Sequence, residues 1–201
     1  MDRDGLLKSI AETGYNVGFG AKKHFATYDI VEKAPGWIGF ISTAVGIFAL
    51  VFDALSTKVP SATLTVMGVC ALYISFYDGK KNLYDEAGVK ITRLFNDLRD
   101  LYRSVQSGTD LDVARGELKA IEGGYYQSCI SKQILFSDWY AHYKFFAQHQ
   151  IEWVNEQKKF KWTDKVPVSF RIFLLLVTVG LIAAAVYLWR GDAITNWLCR
   201  S

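Results

Sequence analysis

No residue pattern in this chain marks a catalytic centre. There is no glycine loop of the kind that cradles phosphate, no Gly-x-Ser-x-Gly elbow and no cysteine placed with a histidine as a nucleophile. Gly18 and Gly20 precede Ala21 and Lys22 but follow no strand, so they carry no dinucleotide-binding signal. Only three cysteines occur, Cys70, Cys129 and Cys199, far apart in the chain. Their spacing excludes a disulfide framework and a zinc site and fits unpaired thiols in a reducing compartment. Charges run through the first thirty residues, which excludes a cleaved signal peptide there. The net charge is only +3, so nucleic-acid binding does not follow from overall balance. Strand-like alternation is missing as well.

The polar residues that could do chemistry lack partners. Glu117, Glu122, Asp138 and Glu152 come with no pattern that identifies acid–base catalysis. Asp138, His142 and His149 share one helix face at a spacing that metal sites use. Phe146 and Trp153 lie on the same face, so a packed aromatic seam is the better reading. No enzyme activity, no metal and no cofactor is expected.

What is present is apolar sequence gathered in blocks. Apolar residues make up 51% and charged residues 21%, ordinary averages that hide three long runs at 36–52, 62–77 and 172–189. Each is near the length of a helix that crosses roughly 30 Å of hydrocarbon. Asp53, Lys58 and Pro60 separate the first two runs, which together read as a transmembrane hairpin whose first arm acts as an internal signal anchor.

Ahead of the hairpin, residues 21–34 place Phe25, Tyr28 and Val31 at helix spacing behind Lys22 and Lys23. This predicts an amphipathic helix near the membrane surface that Pro35 and Gly36 break or turn into the first arm. Trp37 suits an interfacial anchor. In the first arm, Gly39 with Thr43 and Ser42 with Gly46 allow close helix approach. These pairs pack against the second arm in the simpler reading, or against a neighbouring subunit. Asp53 is a solvated turn residue, or part of a charged ring if several copies surround a pore.

Beyond the hairpin, Leu83, Ala87, Ile91, Leu94, Leu98, Leu101 and Val105 form an amphipathic stripe over about six turns. It nearly continues the second arm, with Gly79 and Gly88 as bends. Ser107 and Gly108 end it, and Thr109 or Asp110 caps the next helix, which Gly123 and Gly124 break. Residues 125–160 read as one long aromatic-rich helix. Lys158, Lys159, Lys161 and Lys165 then flank Trp162 before a third span, which Pro167 opens and in which Arg171 snorkels to the headgroups. Trp189 and Arg190 mark its far end.

Lysine and arginine set the orientation. Five lie in residues 1–35 and fourteen in residues 78–165, against Lys58 alone in the hairpin turn and Arg190 and Arg200 after the third span. The positive-inside rule therefore puts the amino terminus and the middle region in the cytoplasm. The layout is an all-α membrane protein. A cytosolic amphipathic segment at 1–35 leads into the transmembrane helical hairpin at 36–77. That continues into a cytosolic helical domain at 78–165, followed by a third, C-terminal transmembrane helix at 166–190 and a tail at 191–201.

Lys22, Lys23, Lys80, Lys81, Lys158, Lys159 and Lys161 lie beside the spans and suit anionic lipid headgroups. Lys90, Arg93, Arg99 and Arg103 lie farther along and are the candidates for an anionic cytosolic ligand, a nucleotide or short oligonucleotide. Ser42, Thr43, Gly46 and Asp53 are the candidates to line a pore.

The basic stretch AKKHFATYDIVEKAPGW, the paired runs IGFISTAVGIFALVF and ATLTVMGVCALYISFY, and the long helix DGKKNLYDEAGVKITRLFNDLRDLYRSV follow one another in this order. This layout, roughly residues 20–107, resembles the SLATT family of two-transmembrane effectors from bacterial conflict systems. The resemblance implies a bacterial inner-membrane effector that oligomerises into an ion-permeable pore and aborts phage infection. It also implies control by a nucleotide signal from a partner nucleotidyltransferase. The third apolar segment departs from the family's simplest pattern. The competing reading is a non-conducting membrane-anchored scaffold that recruits a soluble partner.

Overall fold

The computed structural model describes the backbone of residues 2–148 and 150–198 and the side chains of 2–148 and 150–187. All regular structure among them is helical. His149, Trp189, Arg190, Cys199 and Arg200, for which the sequence predicts roles, lie outside the described residues or side chains. The chain divides into two units, Met1–Phe160 and Lys161–Ser201.

Helix α1, Arg3–Ala49, organises the first unit. Asp2 caps it by accepting the Gly5 N–H at 2.9 Å. At 1.5 Å per residue it is about 70 Å long. Its first half is the centre of the helical domain, where Leu6, Ile10, Val17 and Ala21 are wholly buried. Gly14 and Gly18 lie on the same face and admit aromatic rings from other helices. A Cβ at Gly14 would stand 2.3 Å from the Trp153 ring, and one at Gly18 would stand 2.8 Å from Phe95. The glycines therefore serve close packing between helices.

The break expected at Pro35 is absent, because α1 runs through it. An interior proline costs about 3 kcal/mol through its missing N–H and its clash with the preceding turn. Packing on both sides offsets that cost. Val31 before it and Ile38 after it join one apolar cluster with Ile74, Tyr77, Tyr84 and Ile134. Residues 21–34 also differ from the surface-lying helix predicted for them, since Ala26, Thr27 and Val31 are buried in the domain.

After a 3-10 turn at Asp53–Ser56 comes helix α2, Lys58–Ser75, which packs against α1 through Ile74 and Tyr73. A second 3-10 turn, Asp78–Lys80, separates it from helix α3, Lys81–Gln106. The predicted near-continuity is thus interrupted by a 3-10 turn that contains Gly79. Gly88 produces no bend but receives the Phe25 ring, 2.9 Å from where a Cβ would sit. From Ala87 onward the stripe on α3 is buried as predicted apart from the half-buried Leu94, whereas Leu83 is 52% exposed. Its core neighbours are Tyr84, Phe95 and Tyr102.

Asp110 caps helix α4, Leu111–Ser128, by accepting the N–H groups of Asp112 and Val113 at 2.8 and 3.1 Å. The helix continues through Gly123 and Gly124, where Leu94 of α3 packs against Gly124. The single helix predicted over 125–160 is instead three elements. A non-helical strap, 129–136, is followed by helix α5, Ser137–Gln148, and helix α6, Glu152–Lys158.

Side chains from α1, α2 and α3 take over the strap's backbone groups, which helix bonds would otherwise satisfy. His24 Nε2 accepts the Ile130 N–H at 2.9 Å. The Tyr84 hydroxyl donates to the Lys132 carbonyl. Gln133 accepts from Thr27 and donates back to the Ile130 carbonyl.

The main core joins α1, α3, α4 and α6 around Leu6, Ile10, Phe95, Leu98, Tyr102, Leu118 and Val154. Each such burial is worth roughly 1.5–3 kcal/mol. Helix α5 docks on α1 through Phe145, whose ring meets Tyr15 edge-on at 5.5 Å. Asp29 of α1 adds an ion pair to Lys144 of α5 and one to Lys33 at 2.6 Å.

In the second unit, a turn at Trp162–Lys165 leads to helix α7, Val168–Leu198. Arg171 donates to the Val166 carbonyl at 2.8 Å. Among the described residues, two helical stretches are long and apolar enough to cross a membrane, one within Lys58–Gln106 and the other Val168–Tyr187. Both apolar windows are almost entirely exposed, which distinguishes them from core helices of a soluble domain.

Candidate functional site

The last turns of α3 and the first turn of α6 enclose a small polar cleft of about 180 Å³. Arg99 and Arg103, four residues apart, project from one face of α3. Tyr102, Gln106, Glu152, Trp153 and Glu156 complete the lining with Gln150. The Tyr102 hydroxyl donates to Glu156 Oε2 at 2.9 Å and accepts from Gln157 Nε2 at 3.0 Å. Burial pushes the Tyr102 phenol above its usual range; its bond from Gln157 works against that and the one to Glu156 adds to it.

Two buried donors in this cleft lack hydrogen-bond partners, Arg99 Nε and Trp153 Nε1. The nearest carboxylate to Arg99 Nε is Asp100, at 3.7 Å, beyond hydrogen-bonding distance. Trp153 is 7% exposed and wedged between the rings of Phe95 and Tyr102 at 5.3 and 5.4 Å. Unsatisfied buried donors are costly in a folded chain. The cleft thus gathers the guanidinium groups of Arg99 and Arg103 with the carboxylates of Glu152 and Glu156.

Of the four basic residues predicted to meet an anionic ligand, the structure brings Arg99 and Arg103 together. Lys90 and Arg93 are exposed nearer the start of α3 and do not line the cleft. Trp153, Tyr102 and Glu156 were missed as lining residues, because their aromatic and helical spacing signals only packing.

The residues predicted to line a pore sit on the apolar end of α1 and in the turn after it. Ser42 is half-buried, whereas Thr43, Gly46 and Asp53 are exposed. The Thr43 hydroxyl donates back to the Gly39 carbonyl at 2.8 Å. Cβ atoms added at Gly39 or Gly46 would meet nothing within 4 Å. Packing against the second arm therefore does not account for these glycines.

Several lysines predicted to face lipid are engaged within the fold. Lys23 pairs with Asp138 at 2.7 Å, and Lys81 with Glu32 and Asp78 at 2.8 and 3.1 Å. Lys22 is half-buried, and burial, then the Lys144 charge, lowers its ammonium pKa. Lys158 lies over the Tyr15 ring, 5.6 Å from its centre. Lys159 ends α6 in a left-handed conformation with φ 49°. Lys80 and Lys161 are exposed.

Among the described residues no group of three His, Cys, Asp or Glu side chains could hold a metal. His142 packs on Phe19 and Phe146 at 5.2 and 5.3 Å, as the aromatic-seam reading requires. Glu122 accepts the Thr13 hydroxyl at 2.8 Å. Cys70 is exposed and Cys129 half-buried, both as free thiols.

No curated protein and no solved structure matches the chain. A family model, SMODS and SLOG-associating 2TM effector domain 6, matches residues 1–174. The match covers the whole first unit and stops within the first turns of α7, so most of that apolar helix lies beyond it. With a helical domain, exposed apolar helices and a match over most of its length, the chain belongs to the SLATT family, the effector domains of antiphage conflict systems.

Proposed function

We propose that this protein is a bacterial inner-membrane effector that assembles with further copies of itself into an ion-permeable pore. Conduction through that pore depolarises the membrane of an infected cell and aborts phage infection. The observation that carries this reading is the bareness of the apolar helices. The apolar window beginning α2 is only 6% buried and that of α7 is not buried at all, so lipid or further subunits must cover them.

The open faces at Gly39 and Gly46 support an assembly, since small residues let neighbouring helices approach in a bilayer where apolar burial gives no preference. Thr43 and Asp53 are exposed on the same arm and in its turn, as pore-facing groups would be. The lysine and arginine distribution favours a cytoplasmic helical domain.

Control is assigned to the cleft of Arg99, Arg103 and Trp153. Its cation pair and orphaned donors suit a phosphate group of a nucleotide or short oligonucleotide made by a partner nucleotidyltransferase. Such a ligand shifts the pore only through different affinity for the closed and open assemblies. Because α1 runs unbroken from the domain core into its apolar end, rearrangement of the domain has a stiff route to the membrane.

Ion flux from liposomes carrying the full chain tests the proposal. Flux that changes when nucleotides are added supports it. Ion-tight vesicles under every condition, together with a monomer on cross-linking, would favour the non-conducting scaffold.

A further inference from the structure

Leu135 and Phe136, at the end of the strap, are consecutive apolar residues left 62% and 59% exposed. Phe136 also adopts φ 66°, a left-handed conformation that a bulky side chain rarely takes. Its ring touches Trp139 at 4.9 Å, a contact that leaves most of the phenyl surface bare. A chain that holds an aromatic residue both strained and solvent-facing invites a functional explanation.

The position of the pair supplies one. The Leu135 N–H donates to the Tyr73 hydroxyl at 3.4 Å, and the Tyr77 hydroxyl donates to the Gln133 carbonyl at 3.5 Å. Tyr73 is in the last turn of α2, and Tyr77 lies just beyond that helix. Ile134, next in the strap, is buried with Val31, Ile74 and Tyr77, and Ile38 packs against the same cluster. The strap's end is thus fixed at the level where the first apolar arm begins and the second ends. At that level α1 presents Trp37, 64% exposed, and the end of α2 presents Phe76, 76% exposed. Lys132 lies over the Tyr77 ring, 5.5 Å from its centre, as the cationic edge of the same zone.

We infer that Leu135 and Phe136 are a membrane-contact point that dips into the headgroup region of the leaflet from which α1 and α2 emerge. Aromatic and basic residues at one level are what a bilayer interface accommodates. The continuity of the patch with the bare apolar arms selects lipid as its occupant. The inference rests on the membrane reading above and adds to it a contact made by the helical domain itself.

The test uses the full chain in vesicles of phosphatidylethanolamine and phosphatidylglycerol. A fluorophore is attached at Leu135→Cys or, separately, at Val66→Cys on α2, in a background with Cys70, Cys129 and Cys199 replaced by serine. Lipids carry a nitroxide near the headgroup or deep in the acyl chain. The label at 135 should lose its emission to the shallow nitroxide and keep it with the deep one, and the label at 66 should be quenched from within the chain region. Quenching at 66 but not at 135 would overturn the inference while leaving the membrane reading intact. A blue shift at 135 without quenching would assign the patch to a protein partner and overturn it equally. No quenching at either position would overturn both. Photoreactive lipid on the unsubstituted chain gives a second readout without mutation: adducts in peptide 130–140 support the contact, and adducts confined to α2 and α7 contradict it.

Discussion

His24 of α1 accepts the backbone N–H of Ile130 through Nε2 at 2.9 Å, while its Nδ1 donates to the Gly20 carbonyl at 2.7 Å. Both ring nitrogens are thereby committed to the neutral imidazole. The ring joins the central helix to the strap, 106 residues along the chain.

Stability should therefore depend on pH through this ring. Burial is the main cause that lowers its pKa below the ordinary 6.5; the Gly20 bond opposes it and the Lys23 charge reinforces it. The unfolded chain takes up a proton near pH 6.5 that the folded chain refuses, so stability is full above that value. It falls as pH drops through 6.5 and levels once the folded ring also protonates, at a slope of at most about 1.4 kcal/mol per pH unit. Denaturation of the detergent-solubilised protein at several pH values should show this slope, and His24→Gln should remove most of it. His24→Ala should cost about 1–3 kcal/mol at neutral pH by orphaning the Ile130 N–H.

Asp29 holds Lys144 and Lys33, and the side chains of Asp29 and Lys144 are only 12% and 14% exposed. Burial pushes the Asp29 carboxyl up, yet the hydrogen bonds from the two lysines outweigh it and leave its pKa below the ordinary value. The pair's contribution is present above the usual carboxylate range and is lost as pH falls through the lowered value. Asp29→Asn should destabilise the fold by about 3 kcal/mol, because it strands the Lys144 ammonium. Asp29→Asn with Lys144→Met should recover part of that loss in the same denaturation assay.

Two kinds of glycine should behave oppositely. Gly14→Ala forces a methyl group to 2.3 Å from Trp153 and should cost about 1–3 kcal/mol of stability. Gly39→Ala and Gly46→Ala meet open space and should leave the thermal midpoint of the protein unchanged or slightly raised. Cross-linking should nevertheless show weaker assembly in the latter pair, because the added methyl groups hinder approach of a neighbouring subunit.

At the cleft, Arg99→Ala and Arg103→Ala should each weaken phosphate or nucleotide binding by at least tenfold in calorimetry, about 1.4 kcal/mol. Arg99→Lys should fail to restore it, since lysine has no Nε–H fork. Lys90→Ala, outside the cleft, should bind normally.

What could be read from the sequence follows the range of the forces involved. The α3 stripe and the Asp110 cap were legible because spacing and a local side chain decide them. The core role of α1 was hidden, since its contact face is built partly from Gly14 and Gly18, which carry no hydrophobic bulk. The strap was illegible for a different reason. Residues 125–160 have helical spacing throughout, yet the strap's N–H groups donate to His24 and Tyr73, its carbonyls accept from Tyr77 and Tyr84, and its Gln133 side chain accepts from Thr27, all distant in sequence. Arg99 and Arg103 were legible only as part of a set with Lys90 and Arg93, picked out by distance from the spans. Trp153 was not, because only tertiary packing strips its indole N–H of a partner. Lys23 and Lys81 read as lipid-facing because Asp138 and Glu32 are remote along the chain.

The most direct measurement is ion flux through vesicles reconstituted with the full chain, compared with and without nucleotide and with the Arg99→Ala, Arg103→Ala double variant. A conductance that responds to nucleotide in the unsubstituted protein and loses that response in the double variant is the predicted result. Vesicles that stay ion-tight in every condition, although the protein is inserted and folded, would contradict the pore.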